Sequence, residues 1–92
     1  MTQVNTPPDA RVGTGNWWGM AEVRRAGVGS DGKACLWLTG ESGGIKIDGW
    51  YWGAKPEMAM VGEFAIVYGK KVEVGLVNHE ANSDIYNILL AR

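Results

Sequence analysis

The stretch KACLWLTGESGGIKIDGWYW, residues 33–52, is the most informative part of this chain about its fold. Ala34, Leu36 and Leu38 alternate with their neighbours at the period of two that is typical of a strand with one buried face. We expect these three side chains to point inward. Trp37 then lies on the outer side of the strand, either exposed or packed against a neighbouring segment. The alternation predicts a strand over residues 33–39.

Glycine-rich turns bound this strand on both sides. Asp31-Gly32 precedes it, and both residues tolerate the positive φ that tight turns need. Gly40–Gly44 follows it and leads into a third predicted strand, Ile45–Trp52. Gly49 interrupts the alternation of that strand and is predicted to form a bulge.

Working outward, the remaining segments are less regular. A first strand is predicted over Trp17–Val28, with Ala21, Val23 and Arg25 on one face. Residues 54–61 contain an early proline followed by good helix formers, which allows one or two helical turns and no more.

The second half of the chain has the clearest alternation. Residues 63–77 predict β structure, and Tyr68–Lys71 within them is either a hairpin turn or a kink in one long strand. Residues 83–92 fit a helix or a closing strand. The strand is favoured slightly, because a small sheet needs its edge covered.

This order of elements predicts a mainly β fold, a small five- to six-stranded antiparallel barrel with one short helical turn. The order matches an OB-like barrel, and an SH3-like barrel would give nearly the same order. Fourteen scattered glycines agree with a fold rich in tight turns. Residues 1–14 are predicted to be a flexible N-terminal tail, and residues 15–92 a single small barrel domain.

Charge and cysteine content limit the partners and the compartment. A net charge of −1 argues against binding to duplex DNA or to an anionic membrane through overall electrostatic attraction. A single cysteine excludes an internal disulfide and favours a reducing compartment. No apolar stretch is long enough for a transmembrane helix, and the first residues lack the features of a signal peptide. The expected location is the cytoplasm of a cell or of a virus-infected host cell.

The sequence contains two patterns that resemble catalytic or cofactor-binding motifs, and we expect neither to be functional. Gly27–Gly32 matches the dinucleotide pattern G-x-G-x-x-G formally, but a strand follows it where that motif needs a helix. Cys35 and His79 are too few ligands for zinc, and Cys35 lies in mid-strand and not at a helix N-terminus, where a cysteine would be activated as a nucleophile. We therefore predict a non-enzymatic binding module without a metal or a cofactor.

Aromatic residues are the most unusual feature of the composition. Five tryptophans occur in 92 residues, and Trp17-Trp18 and Trp50-Tyr51-Trp52 are each flanked by glycine. Consecutive side chains of a strand point to opposite faces, so neighbouring rings cannot all enter one small core. We expect at least two partly exposed rings that remain for a partner.

The leading hypothesis is binding of single-stranded nucleic acid without sequence specificity, since bases of any identity stack on aromatic rings. Indoles would stack on bases, and a local basic patch would follow the phosphates. The predicted binding residues are Trp18, Arg24, Arg25, Trp37, Lys46, Trp50, Trp52, Lys70 and Lys71. Two alternatives remain: a protein-interaction or inhibitor module of viral type with tryptophan anchors, and a carbohydrate-binding β module. A homodimer is expected, because a second subunit could cover some of the rings.

Overall fold

The computed structural model describes residues 17–91, which form five strands and one helix. The predicted tail, residues 1–14, lies outside these residues. The elements are β1 (Trp17–Val28), β2 (Ala34–Ser42), β3 (Ile45–Gly53), α1 (Met58–Tyr68), β4 (Val72–Leu76) and β5 (Asp84–Leu90).

The strands close into a barrel in the order β1-β2-β3-β5-β4, and β1 pairs with β4 to complete it. All pairings are antiparallel except that of β3 with β5, which is parallel and spans two residue pairs, Trp52 with Asp84 and Gly53 with Ile85. The helix lies between β3 and β4 in the chain. This arrangement confirms the predicted mainly β barrel with a short helix and has the strand order of an OB-type barrel.

The interior is filled by the alternate residues of each strand. Ala34, Leu36 and Leu38 are fully buried, as their spacing predicts. Trp17 is also buried and donates from Nε1 to the carbonyl oxygen of Ile45 at 2.9 Å. The other large buried side chains are Val23, Ile47, Tyr51, Val72, Val74, Leu76, Ile85 and Ile88.

A β-bulge in β1 changes which side chains face outward. The register between β1 and β2 shifts between Val23 and Arg25, so that Val23 opposes Leu38 and Arg25 opposes Trp37. Val23 is buried, whereas Arg25 is exposed. The prediction that Arg25 shares the face of Val23 is therefore wrong, because the extra residue, Arg24, reverses the alternation.

The helix is longer than predicted. It covers Met58–Tyr68, so residues 63–68, predicted as β, are helical. Gly69 ends the helix in the left-handed conformation, with φ of 64°, and its N–H donates to the carbonyl of Ile66. Tyr68–Lys71 is thus a helix end and the connection to β4, not a hairpin turn or a strand kink.

The two remaining expectations for the strands have opposite outcomes. Gly49 does not form a bulge, since it pairs in register with Leu38. A Cβ atom on Gly49 would lie 2.9 Å from the Cβ of Ala81, so the glycine makes room for the loop between β4 and β5.

The closing strand preferred for the C-terminal segment is present as β5.

Candidate binding face on strands β2 and β3

Three indoles lie side by side on the outer face of β2 and β3. Trp37, Trp50 and Trp52 alternate with the buried residues of these strands and are half-buried. Trp37 opposes Trp50 across the ladder, and Cys35 opposes Trp52. Strand alternation and register thus place the three rings on one surface, which we call the indole face.

The central part of the indole face is an aromatic pair with a cation over it. The ring centroids of Trp37 and Trp50 are 5.9 Å apart, and the rings are tilted by 44°. The guanidinium carbon of Arg25 lies 5.7 Å from the centroid of the Trp50 ring, within the range of a cation–π contact. The bulge in β1 makes this contact possible, because it turns Arg25 outward.

Asp48, a carboxylate that is not among the predicted binding residues, orients one of these rings. Asp48 accepts a hydrogen bond from Nε1 of Trp37 at 2.8 Å. Asp48 lies two residues before Trp50 in β3, so strand alternation alone could have placed it on the same face. The bond fixes the rotation of the Trp37 ring and leaves a negative charge beside the aromatic pair.

The turn between β1 and β2 borders the third indole. A Cβ atom on Gly29 would lie 3.4 Å from Cζ3 of Trp52, so the turn passes close to the ring. The turn is closed by the Gly29 N–H, which donates to the carbonyl of Lys33 at 2.8 Å, while Gly32 has φ of 85°. The G-x-G-x-x-G match is therefore a hairpin connection, and its turn forms one rim of the indole face.

The predicted basic residues near this face differ in their surroundings. Lys46 has the outward parity of Trp50 and opposes Glu41 across the β2–β3 ladder. Arg24 forms an ion pair with Glu22 at 3.4 Å, and both side chains are more than half exposed. Such a pair adds little stability. Arg25, by contrast, contacts an indole ring directly.

The structure does not bring three of the predicted residues to the indole face. Trp18 lies where β1 pairs with β4, and its ring covers Gly75 of β4, where a Cβ atom would lie 2.5 Å from Cε3 of the indole. Lys70 and Lys71 follow the helix and precede β4. Lys71 borders a surface depression that is also lined by Glu22 and Glu41, so acidic neighbours accompany it.

Two other kinds of feature, a metal-ligand cluster and a membrane-spanning helix, are absent from the described residues. Within residues 17–91, no three His, Cys, Asp or Glu side chains come together as a metal would require. No helix in the same residues is both long and apolar enough to span a bilayer. Comparisons with models of protein families, with curated proteins and with solved structures find no match for this chain.

Proposed function

We propose that the indole face binds single-stranded nucleic acid without sequence specificity. The supporting observation is the row of three half-buried indoles, Trp37, Trp50 and Trp52, on the outer surface of β2 and β3. OB-type barrels bind oligonucleotides on the corresponding strands and on the adjoining loops. Each base that stacks on such a ring contributes about 1–3 kcal/mol, whatever its identity.

The rings are held in position before any ligand arrives. Two consecutive strands fix the backbone of all three indoles, and Asp48 and Arg25 contact two of the rings. A ligand therefore need not order these side chains, and less of the stacking energy is lost as conformational entropy.

The charges near the indoles indicate that stacking contributes more than phosphate contacts. Arg25 and Lys46 can meet phosphates, while Asp48 and Glu41 lie on the same side of the sheet. For a single strand, two neutralised phosphates give a slope of log K against log salt of about −1.4. We expect this weak salt dependence, in contrast to the steep dependence of strongly basic proteins.

A titration of the intrinsic tryptophan fluorescence with oligo-dT, at several salt concentrations, tests the proposal. We expect strong quenching at low salt and the shallow salt slope given above. Absence of quenching at low salt would exclude single-strand binding by the indole face.

A matched pair of variants locates the site by the anisotropy of a labelled oligo-dT. Trp52→Ala should weaken binding by about tenfold, the equivalent of one lost stack. Trp18→Ala removes an indole away from the indole face and should leave affinity unchanged. Circular dichroism of both variants verifies that they are folded at the temperature of the measurement.

A neutral sugar is the second candidate ligand. It is favoured by the near balance of charge around the indoles, where Arg25 and Lys46 are matched by Asp48 and Glu41. Aromatic rings also stack on the apolar face of a sugar ring. Quenching by a glycan that does not change with salt, together with no response to oligo-dT, would assign the indole face to carbohydrate.

A further inference from the structure

The last strand, β5, is paired along the whole of one edge but along only part of the other. On one side it pairs with β4 from Ile85 to Leu90. On the other side, within residues 17–91, it pairs with β3 only at Asp84 and Ile85. Residues 87–90 therefore have no strand beside them on this second side, which we call the open edge of β5.

The hydrogen bonds between β4 and β5 show which backbone groups face the open edge. The N–H of Ala91 donates to the carbonyl of Lys71 at 2.9 Å. Alternate residues of an antiparallel strand bond to the same neighbour, so Leu89, which opposes Glu73, also bonds to β4. Ile88 lies between these positions, and its N–H and C=O groups are therefore directed to the open edge.

A cleft of about 440 Å³ runs along the open edge. Four consecutive residues of β5, Ile85–Ile88, line one side of it. Consecutive side chains of a strand point to opposite faces, so a cleft that touches all four residues follows the edge of the strand and not one of its faces. The opposite wall of the cleft is formed by Ala54, Lys55, Glu57, Met58 and Val61.

This wall is held in place by the packing of α1 on the barrel. A Cβ atom on Gly62 would overlap Cδ2 of Leu36, so the helix cannot move closer to the barrel. Met58 and Val61 pack against the core and give the cleft an apolar lining. Lys55 and Glu57, both exposed, give its rim one charge of each sign. The cleft thus favours an apolar occupant without net charge.

The open edge contains none of the residues that usually prevent the addition of another strand. Natural proteins protect such edges with lysine, with other charged residues or with proline. The sequence of residues 85–90, IYNILL, has no charged residue and no proline. The pairing with β4 is in regular register from Asn87 to Leu90, so the strand is extended there. An open edge of this kind is a template for a further extended chain.

We propose that the cleft binds an extended, uncharged peptide segment of a partner protein, which pairs with the open edge of β5. The backbone of the segment bonds to Ile88, and an apolar side chain lies against Met58 and Val61. In strand addition the main chain supplies affinity, and pockets for alternate side chains supply specificity. The proposal is independent of the ligand of the indole face, because no indole of that face lines the cleft.

The wall of the cleft favours a single extended segment over a second copy of the barrel. A second copy would approach with its own β5, and the same wall would stand beside that strand. The two walls would meet before the two edges reached the spacing of paired strands, about 4.8 Å. A segment without such a wall can enter the cleft.

Selection from a phage-displayed library of random heptapeptides tests the proposal. We expect peptides that bind the wild type and that, as synthetic peptides, bind Ala54→Trp about tenfold more weakly, because the added ring fills the cleft. Ala81→Trp is the matched control, since Ala81 is also exposed but lies in the loop between β4 and β5, and it should bind like the wild type. Circular dichroism verifies that both variants are folded. No enriched peptide, or equal affinity for Ala54→Trp and the wild type, would overturn the proposal.

Amide hydrogen exchange of the wild type with a selected peptide tests the pairing itself. Exchange at Ile88 should slow when the peptide is added, because its N–H gains a partner, whereas Leu89 already bonds to β4 and should change less. Unchanged exchange at Ile88 would overturn strand addition. Sedimentation equilibrium tests the other occupant: a wild-type dimer that Ala54→Trp converts into a monomer would place a second copy in the cleft and would also overturn the proposal.

Discussion

At the scale of single residues, Asp48 has two opposing effects on the proposed ligand. Its hydrogen bond to the indole of Trp37 holds one stacking surface in place. Its negative charge, however, repels a phosphate that approaches Arg25 or the aromatic pair. The two effects can be separated, because an amide keeps the acceptor oxygen and removes the charge.

We therefore expect Asp48→Asn to strengthen the binding of oligo-dT several-fold at low salt without loss of thermal stability. The measurement is the anisotropy titration described above, together with a melting curve. Glu73→Gln is the matched control, since Glu73 lies in β4 and pairs with Met20 and Leu89, away from the indoles. Weaker binding by Asp48→Asn would show that the charge itself is needed.

Residue-level prediction from the sequence succeeds where alternation is unbroken. The outward position of Trp37 follows from the regular alternation of β2, which the structure keeps. Trp50 and Trp52 share the outward face because β3 keeps its alternation through Gly49, where a bulge was predicted. The outward position of Arg25 cannot be predicted from alternation, because a bulge inserts one residue into β1 and no residue type there indicates a bulge. The contact of Arg25 with Trp50 was therefore not predictable from periodicity.

At the scale of elements, α1 shows why a helix can be mistaken for a strand. Helix prediction searches for a stripe of large apolar residues that faces the core. In α1 the fully buried positions are Ala59, Gly62 and Ala65, whose small side chains give almost no signal, and only Met58 and Val61, both half-buried, are large apolar residues packed against the core. Phe64 and Ile66, both exposed, instead alternate along the sequence with Glu63 and Ala65, and this spacing resembles a strand.

The close approach of α1 to the barrel leads to a prediction about Gly62. Gly62→Val places methyl groups where Leu36 and Ala26 already lie, and we expect a loss of about 2–3 kcal/mol in the free energy of unfolding. Glu63→Val introduces the same residue on the exposed side of the helix and should cost about 0.5 kcal/mol or less.

Urea denaturation of the two variants and the wild type, at equal protein concentration, provides the comparison. Equal free energies of unfolding for Gly62→Val and Glu63→Val would contradict the tight packing of α1 on the barrel.

At the scale of the whole molecule, Tyr51 ties the barrel wall to the loop that joins the last two strands. Its side chain is buried in the core, and its hydroxyl donates to the carbonyl oxygen of His79. Burial raises the pKa of this hydroxyl above its usual value of 10.0, and the nearby charge of Asp48 raises it further. The folded protein thus holds the proton of Tyr51 to a higher pH than the unfolded chain does.

The raised pKa of Tyr51 stabilises the folded state at neutral pH and loses this effect at alkaline pH. Below pH 10 both states keep the proton, and the contribution of Tyr51 to stability is complete. As the pH rises above 10, the unfolded chain loses its proton first, so this contribution decreases until the folded state also ionises.

We expect Tyr51→Phe to lower the free energy of unfolding by about 1 kcal/mol at neutral pH, because it removes the bond to His79. The variant should also show a smaller decrease of stability above pH 10 than the wild type. Tyr68→Phe, which changes an exposed ring, is the control and should keep the wild-type alkaline decrease. Denaturation curves from pH 8 to pH 11 decide this, and identical alkaline behaviour of Tyr51→Phe and the wild type would refute it.

The parallel pairing of β3 with β5 is the shortest of the five pairings, so we expect the barrel to open there more easily than elsewhere. Two residue pairs join these strands, and two neighbouring bonds, from Trp52 N–H to Ser83 and from Asn82 N–H to Trp50, reinforce them. By contrast, nine residue pairs join β2 and β3. A partial opening that parts the barrel at its weakest line leaves the β2–β3 ladder intact. The indole face can therefore stay folded while the barrel is transiently open between β3 and β5.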